Sequence, residues 1–237
     1  MYNEILLITD IAILYSLVVI FSRLFGRSGL YVWVAVASLL ANIEVMILVK
    51  AFSMEMTLGN VLFASTFLAT DIVSELYGKK EAKRAAFMGI LSSCVFLLVS
   101  RSWFLFTPAE NDIVHAKLCE VFSNSAQIVV SSLVVYAVVQ LLDVWLYHFI
   151  WNITEKKSGN SSGFLWLRNN LATLISQLVN AVLYTFLAFY GIYPIKTLVS
   201  VAVSSYVIFI VTSLLDTPFL YLARALHKKE ADYENMG

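Results

Sequence analysis

Charge is scarce in this 237-residue chain. Asp, Glu, Lys and Arg make up 14% of it, against about 25% in a soluble domain. Sixteen basic and sixteen acidic residues cancel, so the basic surplus that nucleic acid demands is missing. The two cysteines, Cys94 and Cys119, make neither a metal spacing nor a disulfide framework. The three histidines, His115, His148 and His227, are scattered near the ends of apolar runs and are expected at membrane interfaces. There is no Walker A loop, no His-Glu-x-x-His, no Gly-x-Ser-x-Gly and no potassium-channel filter. Asp71 and Asp143 could in principle form an aspartyl dyad, but no glycine motif flanks either. The chain is read as a non-enzyme without cofactor. Residues 1–4 lack a basic n-region and no small-x-small site follows the first apolar run, so no cleavable signal peptide is expected.

Hydrophobic side chains are abundant instead, at 60% of the chain with a mean hydropathy of +0.81. One core cannot hide so much apolar surface, and the exterior must be apolar too. This defines an all-α integral membrane protein, since helices satisfy every backbone group inside a bilayer. A crossing helix needs about 20 mostly apolar residues. Seven stretches qualify, at residues 5–25, 30–49, 57–77, 85–106, 123–150, 171–192 and 198–223.

The third stretch is the informative one. Asp71 and Glu75 lie inside it, and it closes on the basic knot Lys79, Lys80, Lys83 and Arg84. Were Asp71 to cap a separate helix, only the run 58–69 would remain, too short to span. The span therefore has to continue through both acids. An acid at membrane depth costs about 2.5–3.5 kcal/mol even on the mildest insertion scale, which marks Asp71 as a functional candidate. Glu75 is close enough to the knot to pair with it.

Loop charges set the expected orientation. With the N-terminus outside, the inner side holds Arg23, Arg27, Lys79, Lys80, Lys83, Arg84, Lys156, Lys157, Arg168, Arg224, Lys228 and Lys229. The outer side holds only Lys50, Arg101, Lys117 and Lys196. This asymmetry obeys the positive-inside rule, needs an odd number of spans and puts the C-terminus in the cytoplasm. The longest outer loop is 107–120. The longest inner one is 152–168, with a flexible Ser/Gly-rich centre at 158–163. Its sequon-like triplets lie on the cytoplasmic side and carry no glycosylation meaning. The tail from 228 onward is polar and is expected to fray.

Residues three or four apart share a helix face, so polar spacing shows which faces turn inward. The third span offers Thr70, Asp71, Ser74 and Glu75. The fifth offers Ser132, Tyr136, Gln140, Asp143 and Tyr147, the sixth Thr173, Gln177, Asn180 and Tyr184, and the seventh Ser205, Thr212 and Asp216. Asn42 and Glu44 add a second-span contribution. Such an interior suits a small polar molecule with hydrogen-bonding edges. Structural roles compete at each position: Ser and Thr bond their own backbone, and Asn and Gln join helices. Asp71, Asp143 and Asp216 carry either function or a structural pair, with Arg168 as one candidate partner. They line one deep pocket with Asn42 or form a gate apart from the substrate. Pro218, beside Asp216, removes a donor for the carbonyl near Leu214; it marks a broken-helix site or a simple kink.

Four segments together resemble a known family. They are Ala69-Thr70-Asp71-Ile72-Val73-Ser74-Glu75-Leu76-Tyr77-Gly78 with its basic knot, Gln140-Leu141-Leu142-Asp143-Val144, Trp166-Leu167-Arg168-Asn169-Asn170 with Ser176-Gln177, and Asp216-Thr217-Pro218-Phe219. In order and spacing, from about Leu30 to Arg224, they resemble the queuosine precursor transporters, the vitamin-uptake-like family. That family resembles the six-helix S components of energy-coupling-factor importers. The resemblance implies an added N-terminal helix (1–29), a six-helix core (30–226) and a polar cytoplasmic tail (227–237). It implies import of a 7-deazaguanine, preQ0 or preQ1, or of queuine, across a bacterial inner membrane. A purine-like ring offers edges to Asn, Gln and Asp and faces to aromatic rings, and the amine of preQ1 could be neutralised by a carboxylate. Expected ligands of substrate or coupling ion are Asn42, Asp71, Gln140, Asp143, Gln177, Asn180 and Asp216. Expected partners are the 7-deazapurine and the lipid bilayer, with an ATPase module or a second copy as candidates.

The chain departs from the family pattern twice. Ser-Gln-x-x-Asp-Thr becomes Ser176-Gln177-Leu178-Val179-Asn180-Ala181, and Tyr-Val-x-Lys becomes Tyr206-Val207-Ile208-Phe209. An acid and a base vanish together, as if a neutral pair replaced an ion pair. Losing one alone would strand a buried charge at about 3–5 kcal/mol. Two rival functions stand beside import of a queuosine precursor: an S component for another vitamin served by a separate ATPase, and a non-transporting scaffold or sensor.

Overall fold

The computed structural model describes residues 2–52, 54–122, 126–159 and 163–234. Residues 123–125 of the fifth expected span, 160–162 of the expected flexible loop and 235–237 of the tail lie outside the described residues, as does Met1. The described residues form seven helices and one β-hairpin: α1 (Tyr2–Glu44), β1 (Leu48–Ala51), β2 (Met54–Thr57), α2 (Gly59–Tyr77), α3 (Lys79–Trp103), α4 (His115–Phe122), α5 (Ala126–Ser158), α6 (Leu165–Phe189) and α7 (Ile195–Glu234).

The first two expected spans form α1, whose 43 residues would reach about 65 Å if straight, twice a bilayer core. Gly26 breaks it with φ 56° and ψ −139°, a conformation that side chains oppose. The chain folds back there. Phe21 packs edge-on against Trp33 across the bend, their ring centres 5.5 Å apart. At the other end Asn3 Nδ2 donates to the carbonyl of Lys50 (2.9 Å), and the Phe52 amide donates to Glu4 Oε1 (3.1 Å). Arms 2–25 and 27–44 are thus antiparallel.

The second expected span ends early. Helix stops at Glu44, and the antiparallel pair β1–β2 follows, with Leu48 opposite Thr57 and Ala51 opposite Met54. The hairpin went unread because Leu48, Val49 and Ala51 continue the apolar run. Helices α3 and α6 each start six residues sooner than expected: α3 takes in the basic knot from Lys79, and α6 takes in Arg168 from Leu165. The expected outer loop contains α4. Helix α7 continues to Glu234 where fraying was expected from 228, and it passes through Pro218 without interruption.

Five described helices are long and apolar enough to cross a membrane, by length and composition: α1, α3, most of α5, α6 and most of α7. Helix α2 is not among them. It lies against α1, α7, α3 and α5 and is buried from Gly59 through Ser74 apart from Asn60 and Phe63. Protein rather than lipid surrounds its small and polar side chains, which explains both its modest hydropathy and the tolerance of Asp71. Outward faces are apolar in the manner of a lipid-facing surface, with Leu98 73% and Leu91 65% exposed on α3. The inward face of α3 is small instead: Ala82, Ala85, Ala86, Gly89 and Ser93 are buried and admit α1 closely. The first arm belongs to the packed core, because Tyr15 is fully buried, donates to the Thr212 carbonyl (3.2 Å) and meets the edge of Phe219.

Candidate functional site

The polar stripes all turn inward. Thr70, Asp71, Ser74, Gln140, Asp143, Tyr147, Thr173, Gln177, Thr212 and Asp216 are buried. Along α5 they separate into three layers. Tyr136 lies at the hairpin end, Asp143 about 10 Å further along and Tyr147 about 6 Å beyond it.

The first layer is a cavity of about 100 Å³, ample for several waters or a small ligand. Ser38, Asn42, Asn60, Phe63, Ser93, Tyr136, Asn180, Tyr184 and Phe209 are among its walls. Asn42 Nδ2 donates to the Ser38 carbonyl (2.7 Å) and to Ser93 Oγ (3.2 Å). The Tyr136 hydroxyl and Ser38 Oγ share a 2.7 Å hydrogen bond. This contact requires the absence of a side chain at Gly89, where a Cβ would come within 2.1 Å of the Tyr136 oxygen. Phe63 anchors an aromatic wall, 5.4 Å from the Tyr136 ring and 6.4 Å from that of Phe209. A smaller cavity of about 40 Å³ shares Asn42, Val45, Ser132 and Tyr184 and is bordered by Arg101.

Two amides lead inward. Asn180 Nδ2 donates to Gln177 Oε1 (3.0 Å), and Gln140 Nε2 donates to Thr70 Oγ1 (2.9 Å). Among the described residues, Gln177 Nε2 and Gln140 Oε1 have no hydrogen-bond partner.

The second layer holds the three acids. Asp143 Oδ1 accepts from Ser176 Oγ (2.7 Å), and Asp71 Oδ2 accepts from Thr173 Oγ1 (3.4 Å). The two carboxyl groups face each other. Among the described residues, Asp71 Oδ1 and Asp143 Oδ2 have no hydrogen-bond partner. Asp216 Oδ1 accepts from Asn169 Nδ2 (2.7 Å), while Asn170 Nδ2 donates to Thr217 Oγ1 (2.7 Å). Among the described residues no three acids, histidines or cysteines converge as a metal-binding group, so Asp71, Asp143 and Asp216 do not form a three-carboxylate cage.

The third layer is a buried ion pair. Arg168 donates from Nη2 to Glu75 Oε1 (2.7 Å) and Oε2 (2.6 Å), and from Nε to Oε2 (3.0 Å). The Arg168 and Glu75 side chains are 0% and 4% exposed. Arg168 Nη1 also donates to the Gly163 carbonyl (2.6 Å), and the guanidinium lies over Trp151 at 4.1 Å. Tyr147 donates to Glu75 Oε2 (2.9 Å), and Arg224 Nε lies 3.3 Å from Oε1. Glu75 therefore pairs with α6 and α7 rather than with the basic knot. Arg168 is a buried helical residue rather than a loop charge, and it serves Glu75 rather than the three aspartates. Within the knot, Arg84 pairs with Glu81 (2.6 Å), which also accepts from Tyr31. His148 is buried and stacked on Trp151 rather than interfacial.

Of the expected ligands, Asn42 and Asn180 line the cavity, Gln177 touches it through Asn180, and Gln140 lies between the layers. Asp71, Asp143 and Asp216 sit in the deeper layer. Asn60 was missed, although it lies eleven residues before Asp71 and thus on the same helix face. Asn169 and Asn170 were seen as motif letters only. Both departures from the family pattern, Asn180 and Phe209, line the one cavity.

Apolar helices enclosing a layered polar interior, with a ligand-sized cavity at one end, define a multi-pass membrane transporter rather than an enzyme. The chain belongs to the family described as "Putative vitamin uptake transporter", which matches residues 57–223. A protein of Bacillus subtilis (strain 168) named "Probable queuosine precursor transporter" is 34% identical over 226 residues, covering 95% of this chain and 96% of the relative. No solved structure matches the chain.

Proposed function

We propose that this chain imports a queuosine precursor, a 7-deazaguanine such as preQ0 or preQ1, or queuine, through a bacterial inner membrane. The cavity carries this reading. Its amides at Asn42, Asn60 and Asn180 and its hydroxyls at Ser38 and Tyr136 suit the donor and acceptor edges of a purine-like ring. Its aromatic wall suits the ring's face. The name of the Bacillus subtilis relative agrees with it.

In this reading the two arms of α1 with α2, α3, α5, α6 and α7 make seven passes. The N-terminus is outside, and the C-terminus with the knot of Lys79, Lys80, Lys83 and Arg84 faces the cytoplasm. Residues 1–29 add one helix to a six-helix core at 30–226, and 227–237 form the cytoplasmic tail. The cavity then faces outward. Asn42 and Asn180 hold substrate, with Gln177 and Gln140 behind them. Asp71, Asp143 and Asp216 form a separate coupling or gating layer, and Glu75 with Arg168 closes the cytoplasmic end.

Uptake rescue tests the reading. A strain unable to make queuosine precursors expresses this protein and receives preQ0, preQ1 or queuine separately. Queuosine should appear in its tRNA with at least one of them. No queuosine with any of the three, with the protein present in the membrane, removes the proposal. A second reading, a substrate-binding subunit for a vitamin driven by a separate ATPase, takes its support from the family description. Co-purification of ATPase subunits would favour it.

A further inference from the structure

We propose that the cavity selects a neutral planar heterocycle over one bearing an ammonium group, and that Asn180 sets this selection. The inference rests on the reading above and narrows its substrate class. Among the described residues, no acidic or basic side chain lines the cavity. Its polar groups are amides and hydroxyls, which hydrogen-bond a ring edge but leave an ammonium uncompensated in a site walled by Phe63 and Phe209. A cationic ligand there would lose hydration without gaining a counter-charge from the described lining residues.

The acids cannot supply the missing counter-charge. Asp143 lies seven residues from Tyr136 on α5, about 10 Å along the axis. Its Oδ1 is engaged by Ser176, and its carboxyl faces Asp71. Gln140 and Gln177 stand between that layer and the cavity. Asn180 is the cavity amide tied to the deeper Gln177. As an amide it presents both a donor and an acceptor, its Nδ2 already held by Gln177 Oε1. Such an edge complements a lactam, whose N–H and C=O need the same pair reversed. Among 7-deazaguanines the cavity therefore favours a nitrile substituent over an aminomethyl group protonated at neutral pH.

Calorimetry on the purified full-length protein at pH 7 decides this, with 7-cyano-7-deazaguanine and 7-aminomethyl-7-deazaguanine as probes. The nitrile should bind at least roughly tenfold tighter, and Asn180→Asp should move that ratio roughly tenfold or more toward the amine. Should Asn180→Asp fail to fold, Asn42→Asp introduces a carboxylate into the same cavity and should shift the ratio in the same direction. Equal or tighter binding of the amine by the unaltered protein overturns the inference while leaving a queuosine-precursor transporter standing. Binding of neither compound overturns both. A nitrile preference that Asn180→Asp leaves unmoved, in a folded protein, overturns the assignment to Asn180.

Discussion

Removing both halves of the Glu75–Arg168 pair should destabilise the protein far less than the two single changes summed. Breaking a buried ion pair costs about 3–5 kcal/mol because the survivor stays buried without compensation. The two single changes differ in what remains. After Arg168→Met, Glu75 keeps the Tyr147 hydroxyl at 2.9 Å and Arg224 at 3.3 Å, which places the loss near the lower end, about 3 kcal/mol. After Glu75→Leu, Arg168 keeps, among the described residues, the Gly163 carbonyl, Tyr147 and the face of Trp151, and the loss approaches about 5 kcal/mol. In the double variant no fully buried charge is stranded, although the partly exposed Arg224 loses its contact with Glu75. The Gly163 carbonyl loses one hydrogen bond and the Tyr147 hydroxyl two, about 1 kcal/mol apiece, so the total is about 3 kcal/mol rather than the sum of the singles. At roughly 2–4 °C per kcal/mol, each single variant should melt about 6–20 °C lower and the double about 6–12 °C lower, against about 16–32 °C for the two singles summed. Heating a fluorescent-protein fusion in detergent and following the surviving monodisperse peak gives these midpoints. A double variant that loses as much as the two singles combined would refute the pairing as an energetic unit.

Gly89→Ala should lower both stability and precursor affinity, because its Cβ would lie 2.1 Å from the Tyr136 oxygen and 2.9 Å from Ser38 Oγ. The expected loss is about 1–3 kcal/mol of overpacking, and adding Tyr136→Phe should recover part of it in the same melting assay. Asp143→Asn and Asp71→Asn should each reduce uptake roughly tenfold or more while changing precursor binding less than roughly threefold, a difference of under about 1 kcal/mol. Unchanged uptake in both variants would deny these two acids a coupling or gating role. Gly26→Ala should cost about 1–3 kcal/mol of backbone strain at the bend of α1, read as a lower melting midpoint; an unchanged midpoint would deny that the bend needs glycine.

Much of this organisation was legible in the residues. Five long apolar helices announce themselves by length and hydropathy, and helix α2 runs on through Asp71 to Tyr77 as expected, although it is not among those five. Spacing along α5 placed Tyr136, Gln140, Asp143 and Tyr147 on one buried face. Partners were harder to read. Arg168 lies three residues inside α6, beyond an apolar start at Leu165-Trp166-Leu167, and it looked like a loop charge. Its bond to Glu75 joins residues 93 apart, a tertiary fact that no local pattern carries. The β-hairpin hid in an apolar run whose alternation is too short to stand out. Depth was equally hidden: identical amides serve the cavity at Asn42 and Asn180 and the acid layer at Asn169, and only packing separates them.

Counterflow in proteoliposomes tests the central claim most directly, because it needs no energy source and so is independent of how import is driven. Purified protein is reconstituted into vesicles preloaded with unlabelled precursor, and labelled precursor is added outside. Transient accumulation of label above that in protein-free vesicles, diminished by Asn180→Ala, is the result expected of a transporter that uses this cavity. No accumulation of preQ0, preQ1 or queuine, with the protein folded in the vesicles, would contradict it.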